Sequence, residues 1–87
     1  MITINKALYK NDYKIEVYFS DGTVSEIDFY EYTNREGLFS DLEDLNFFRN
    51  FEIDFNLGTI CWKNGLDIAP EKLYEKATGI VPSWAVN

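Results

Sequence analysis

The chain has 87 residues, enough for one hydrophobic core but too few for two, and its seven Phe, six Tyr and two Trp supply large side chains for that core. One cysteine and no histidine exclude an intramolecular disulfide, a four-cysteine zinc site and the commonest general base. Residues 16–54 contain eleven acids and two arginines, and this excess of negative charge outweighs the lysines of residues 1–15 to give a net charge of −7, a sign that disfavours direct binding of DNA or RNA.

The predicted organisation is one domain over residues 1–79, followed by a short tail over residues 80–87. No apolar run approaches the roughly 20 residues that cross a bilayer, and the first five residues lack the basic and apolar pattern of a signal peptide. We therefore expect a cytoplasmic protein that does not contact a membrane.

The first third of the chain predicts three strands. Residues 2–9 form the first strand, and Asn11-Asp12 predicts the turn that follows it. Apolar and polar residues then alternate over residues 13–20, a period of two that places four apolar side chains on one face of a strand. This is the strongest strand signal in the chain.

A hairpin closes at Asp21-Gly22, and its register follows from the apolar pattern. A two-residue turn would put the apolar side chains of the two strands on opposite faces of the sheet. A three-residue loop over residues 20–22, with Gly22 in the left-handed conformation, pairs Ile15 with Ile27 and Val17 with Ser25. We favour the three-residue loop because it keeps the apolar side chains together.

A loop over residues 33–37 and then a helix are predicted next. Ser40-Asp41-Leu42-Glu43 fits a capping box, and Leu42, Leu45 and Phe48 have the spacing of one helix face. Two short strands follow at residues 51–55 and 59–62, joined by a turn at residues 56–58.

The last element is a helix that opens at Pro70 and ends before Gly79, with the turn Asn64-Gly65 ahead of it. The order is therefore β-β-β-α-β-β-α. Because all but one of the connections between strands are hairpins, we expect an α+β fold, a small antiparallel sheet of about five strands with two helices packed on it.

The residues that could carry chemistry are few. Cys61 lies between Ile60 and Trp62 in a predicted strand and is interpreted as a buried thiol. The cluster Asp41, Glu43 and Asp44 lacks the alternating spacing of a calcium loop, and no glycine-rich loop is present to bind phosphates. We predict no catalytic residue, no metal site and no cofactor.

The chain nevertheless resembles the bacterial domain-of-unknown-function family 2442 over about residues 5–78. The most specific part of the resemblance is Trp62-x-Asn64-Gly65-x-Asp67-x-x-Pro70-x-x-Leu73-Tyr74, and Asp21-Gly22 adds to it. The family has no established activity; the resemblance implies a component of a toxin-antitoxin or regulatory gene pair. We interpret the motif residues as structural: Asn64-Gly65 forms a turn and Asp67 accepts hydrogen bonds from amides near the start of the last helix.

These observations favour an acidic protein-binding or regulatory module, antitoxin-like in character, that binds a basic protein partner. The residues predicted to bind the partner are the acids Asp41, Glu43, Asp44, Glu52 and Asp54. One alternative is an acidic inhibitor that mimics nucleic acid at a basic site, and the least favoured is an enzyme that uses carboxylates. A homodimer is also open, because the first strand lies at a sheet edge and the tail carries Trp84.

Overall fold

The computed structural model describes residues 1–80. The rest of the predicted tail, residues 81–87 with Trp84, lies outside the described residues. Five strands are present: β1 (Ile4–Asn11), β2 (Lys14–Phe19), β3 (Val24–Asp28), β4 (Glu52–Asp54) and β5 (Thr59–Cys61). Two 3-10 helices span Tyr30–Asn34 and Gly37–Glu43, and two α-helices span Leu45–Phe48 (α1) and Pro70–Thr78 (α2). The predicted α+β class and element order are confirmed.

The five strands form two antiparallel sheets, β1-β2-β3 and β4-β5, where one small sheet was expected. The hairpin register is the one predicted, with Ile15 opposite Ile27 and Val17 opposite Ser25. Gly22 adopts a φ of +92°, which is the left-handed conformation that the three-residue loop requires. The first strand starts two residues later than predicted, and irregular pairing at both of its ends shifts its register against β2.

One face of the larger sheet is covered and the other is open. Ile15, Val17 and Ile27 are buried, whereas Lys14, Glu16 and Tyr18 alternate with them and remain partly accessible. The rest of the core comes from the segments that cover the buried face, and its members include Leu42, Phe48, Ile60, Trp62, Leu66, Ile68 and Leu73.

The segment between the two sheets differs most from the prediction. The expected helix with a capping box does not form at Ser40, because Ser40 lies inside a 3-10 helix and its hydroxyl donates to the carbonyl oxygen of Gly37. Asp44 adopts an extended conformation and separates that 3-10 helix from α1, which lasts one turn. As a result Leu45 is 40% exposed, although its spacing from Leu42 and Phe48 predicted burial.

The final helix forms as the sequence predicts. Pro70 opens α2, where its missing N–H costs nothing, and Gly79 ends it with a φ of +76° while its amide donates to the Glu75 carbonyl. Leu73 points into the core and anchors the helix there.

Candidate functional site

Trp62, the first residue of the family motif, lies in the core. It is 3% exposed, and its indole Nε1 donates to the carbonyl oxygen of Phe48 at 2.8 Å. Its ring centroid lies 6.0 Å from that of Phe48 and 6.4 Å from that of Phe29. Trp62 is buried, its ring packs on two aromatic rings and its N–H is hydrogen-bonded, so it joins the end of β5 to α1 and to the residue that follows β3.

The turn after Trp62 holds the chain in place for α2. Gly65 has a φ of +92°, and the side-chain oxygen of Asn64 accepts from the Leu66 amide at 2.9 Å. The Asn64 Nδ2 atom donates to the Leu38 carbonyl and to the Asp41 carboxylate, at 3.1 and 3.0 Å. The turn therefore also fixes the second 3-10 helix.

Asp21 and Tyr74 connect the β2–β3 hairpin to α2. The Tyr74 hydroxyl donates to the Asp21 carboxylate at 2.7 Å, and the Thr23 amide donates to the same carboxylate at 2.9 Å. The Thr23 amide, and then the Tyr74 hydroxyl, hold the pKa of Asp21 below its ordinary value. The Tyr74 ring meets Phe19 edge-on at 5.2 Å. Tyr74 thus joins α2 to the β2–β3 hairpin by a polar contact with Asp21, 53 positions away, and by an aromatic contact with Phe19 at the end of β2.

Asp67 does not have the role predicted for it. The residue that caps α2 is Ala69, which offers no side-chain acceptor, and the backbone of Asp67 instead pairs with Cys61 in an isolated antiparallel bridge. The Asp67 side chain is exposed. Asp67 lies two residues before the cap, where its extended backbone pairs with Cys61, and the Lys72 amide in the first turn of α2 donates instead to the Ala69 carbonyl at 3.0 Å.

Three of the five acids predicted to bind a partner lie around one surface depression. Asp41, Glu43 and Asp44 line it together with Ser40 and Phe47. Two of these carboxylates already have partners in the fold: Asp44 accepts from the Asn46 amide at 2.9 Å and caps α1, and Asp41 accepts from Asn64. Over residues 1–80, no group of three His, Cys, Asp or Glu side chains is placed to hold a metal ion.

The other two acids, Glu52 and Asp54, lie on β4 and flank Cys61 across the β4–β5 hairpin. Glu52 lies directly opposite Cys61 in the register, and Asp54 lies opposite Thr59. Burial, followed by the charges of Asp54, Glu52 and Asp67, raises the pKa of the Cys61 thiol. The thiol is therefore held in its protonated, weakly nucleophilic form at neutral pH.

The turn of the β4–β5 hairpin, Asp54 to Gly58, presents two large apolar side chains that are not among the residues predicted to bind a partner. We call this segment the hairpin tip. Phe55 is 78% exposed and Leu57 is 54% exposed. A signal was present in the sequence, because turns usually consist of Gly, Pro, Asn, Asp and Ser, and here a phenylalanine and a leucine flank Asn56.

The backbone of the hairpin tip is fixed by internal hydrogen bonds. The Asp54 carboxylate accepts from the amides of Asn56 and Leu57, at 2.9 and 3.1 Å, and the Gly58 amide donates to the Asp54 carbonyl at 2.7 Å. The Gly58 carbonyl then accepts from the Ile4 amide at 2.8 Å, which joins the turn to β1. The two apolar side chains are therefore carried by an ordered turn.

Together these features define a small α+β domain in which two antiparallel sheets and four short helices enclose an aromatic core. The model of the family described as "Protein of unknown function (DUF2442)" matches residues 4–79, and the chain belongs to this family. No curated protein and no solved structure matches the chain. Among residues 1–80, none of the helices is both long enough and apolar enough to span a bilayer.

Proposed function

We propose that this chain is a protein-binding module and that the hairpin tip is its main contact. The observation that supports this proposal is the exposure of Phe55 and Leu57 on one ordered turn. Burial of an exposed phenylalanine or leucine side chain against a partner contributes about 1.5–3 kcal/mol each. Large apolar side chains that pack into a partner's pocket commonly dominate the free energy of binding.

The order of the turn adds to this contribution. Immobilising a loop or side chain on binding opposes association, at a cost of about 0.5–1.5 kcal/mol for each flexible side chain. The Asp54 carboxylate and the Gly58 contacts already hold the backbone of the tip before a partner arrives. A preformed turn of this kind avoids part of that loss.

The charge beside the hairpin tip indicates the kind of partner. Glu52 and Asp54 stand on the strand that leads into Phe55, and both carry carboxylates. The surface that complements the hairpin tip is an apolar pocket with basic residues around its rim, in keeping with the basic partner predicted from the sequence. An antitoxin-like or regulatory role, which the family resemblance implies, would act through this contact.

The test compares serine substitutions at sites of similar exposure. The Phe55→Ser/Leu57→Ser double variant removes the apolar part of the tip, and Leu38→Ser, at a site that is 48% exposed, is the matched control on another surface. Tagged wild-type and variant proteins are used to retain partners from the native host, after circular dichroism has shown that each variant is folded. We expect a partner that the wild type and control retain and that the double variant loses at least about tenfold.

Salt dependence and charge reversal show whether the partner binds at the hairpin tip or at the depression lined by Asp41, Glu43 and Asp44. Retention should weaken between about 0.05 and about 0.5 M NaCl, because electrostatic attraction at exposed sites is screened by salt. Equal retention by the double variant would refute the proposal. Loss on reversal of Asp41, Glu43 and Asp44 to Lys, without loss in the double variant, would move the contact to the depression. Competition by a short DNA duplex would support the acidic inhibitor instead.

A further inference from the structure

A second surface of the domain differs in character from the hairpin tip. A depression lies between the start of α2 and the two 3-10 helices, and its lining comes from residues far apart in sequence. Tyr32, Arg35 and Phe39 form one side, and residues 67–69 with Lys72 form the other. We call it the Arg35 pocket.

The guanidinium group of Arg35 is held in place by two aromatic rings. Its central carbon lies 4.5 Å from the ring centroid of Tyr32 and 5.4 Å from that of Phe39. The two rings stack on each other, with centroids 5.8 Å apart and planes 14° from parallel. Tyr32 is buried and Phe39 is half-buried, so this support is part of the fold.

The hydrogen-bond donors of Arg35 are left unused by this arrangement. Stacking on a ring occupies the face of a guanidinium group, whereas its N–H groups point outward in the plane. Within residues 1–80 the Arg35 side chain forms neither a hydrogen bond nor an ion pair. An ordered guanidinium with free N–H groups is the arrangement that binds a carboxylate through two parallel hydrogen bonds.

The remaining lining supplies a second cation and an apolar surface. Lys72 stands at the rim, and in the described part of the chain its ammonium group has no acidic partner, in contrast to Lys76, which pairs with Glu31 at 2.7 Å. Ile68 and Ala69 provide apolar side chains beside Phe39. Asp67, also on the rim, opposes an anion.

We propose that the Arg35 pocket binds a small organic carboxylate that carries an apolar or aromatic body. The carboxylate is held by the guanidinium group of Arg35 and by Lys72, and the apolar body packs against Phe39, Ile68 and Ala69. Such a ligand is either a free small molecule or the C-terminal residue of a peptide. This site shares no residue with the hairpin tip and stands independently of the protein-binding proposal.

The test uses three probes and the full chain, followed by two-dimensional NMR. Benzoate carries both a ring and a carboxylate, acetate carries the carboxylate alone, and benzamide carries the ring without the charge. We expect benzoate to shift the Arg35 Nε–H resonance and the amide resonances of Ala69 and Lys72 in a saturable way. Acetate and benzamide should bind at least about tenfold more weakly, since each lacks one of the two contacts. Equal shifts with benzoate and acetate, or no saturable shift with benzoate, would overturn the proposal.

Substitutions locate the site and test the sign of its charge. Arg35→Gln should weaken benzoate binding at least about tenfold, and Arg49→Gln, which removes the same charge from the end of α1, should leave it unchanged. Arg35→Lys, which keeps the charge but loses the planar group, should also weaken binding, so the test survives if Arg35→Gln fails to fold. Asp67→Asn should tighten binding several-fold because it removes the opposing charge. Weaker binding by Asp67→Asn, or equal weakening by Arg49→Gln, would overturn the assignment.

Two further probes distinguish the sources of the ligand. N-acetylglycyl-phenylalanine with a free carboxylate is compared with the same dipeptide as its C-terminal amide. Tighter binding of the free acid than of benzoate supports a peptide C-terminus, and weaker binding supports a free small molecule, while both agree with a carboxylate site. Equal binding of the free acid and the amide would contradict the proposal of a carboxylate site.

Discussion

Replacement of Gly58 by alanine tests whether the hairpin tip is held against the N-terminal segment as the structure describes. Gly58 has a φ of +71°, and a Cβ atom there would lie 2.6 Å from Cγ2 and 2.9 Å from Cβ of Thr3. Gly37 is a matched control, because its φ is +69° and a Cβ atom there would meet nothing within 4 Å. The conformational cost of a left-handed alanine, about 1–2 kcal/mol, is therefore common to both variants.

The difference between the variants comes from the contact with Thr3. Thr3 cannot easily move aside, because its amide donates to the Ser20 hydroxyl at 3.0 Å and its carbonyl accepts from the Ser20 amide at 2.8 Å. Forcing an extra methyl group into a packed site costs about 1–3 kcal/mol. We expect Gly37→Ala to lose about 1–2 kcal/mol of unfolding free energy and Gly58→Ala to lose about 2–5 kcal/mol.

Urea denaturation followed by circular dichroism measures both losses. A third variant, Thr3→Gly/Gly58→Ala, removes the atoms that the new methyl group would meet. Compared with Thr3→Gly alone, the further loss in this double variant should fall to that of Gly37→Ala, because the two sites are in contact and their effects are not additive. Equal losses for Gly58→Ala and Gly37→Ala would refute the close contact between the tip and Thr3.

Three further predictions concern the motif and the thiol. Trp62→Phe should lower the unfolding free energy by about 2–4 kcal/mol in the same assay, because it removes volume from the core and the donor to the Phe48 carbonyl; a loss below about 1 kcal/mol would contradict this. Asp21 has a lowered pKa in the fold, so its contribution to stability is present above the unfolded value of about 4 and is lost as the pH falls through the folded value. Tyr74→Phe should make the acid-induced loss of stability shallower, and an unchanged pH profile would count against the contact. The Cys61 thiol should react with a disulfide reagent more slowly at pH 8 than free cysteine does, and a faster reaction would show that its pKa is not raised.

The sequence was most informative where local geometry and burial agree. The β2–β3 register followed from two constraints, the positive φ of Gly22 and the need to keep Ile15 and Ile27 on one face, and both hold in the structure. The limits of α2 followed in the same way from Pro70 and Gly79, each of which fits one end of a helix for a backbone reason.

The helix expected after Ser40 shows why spacing alone misleads. Leu42 and Phe48 are both buried, as a single helix face would require, but the extended backbone of Asp44 lies between them. Ser40 bonds back to Gly37, and Asp44 becomes the cap in its place. Serine and aspartate compete for local backbone groups, and the sequence does not decide which of them starts the helix.

The candidate sites required the folded structure for different reasons. The Arg35 pocket joins positions 32–39 to positions 67–72, and no local pattern brings these segments together. The five predicted acids lie in two places. Asp41, Glu43 and Asp44 line the surface depression, whereas Glu52 and Asp54 belong to β4. The position of Phe55 beside a turn indicates exposure. Several other phenylalanines lie close to it in the sequence, however, and an apolar segment of this kind favours assignment to the core.

The hairpin tip is the surface that we propose meets a protein partner. Photocrosslinking in the native host tests it directly, with Phe55 replaced by the photoreactive p-benzoylphenylalanine and, in a second strain, Leu38 replaced by the same residue. We predict a discrete crosslink to a protein with a basic surface from position 55 and none from position 38. The absence of a crosslink from position 55, or an equal product from both positions, would contradict the proposed function.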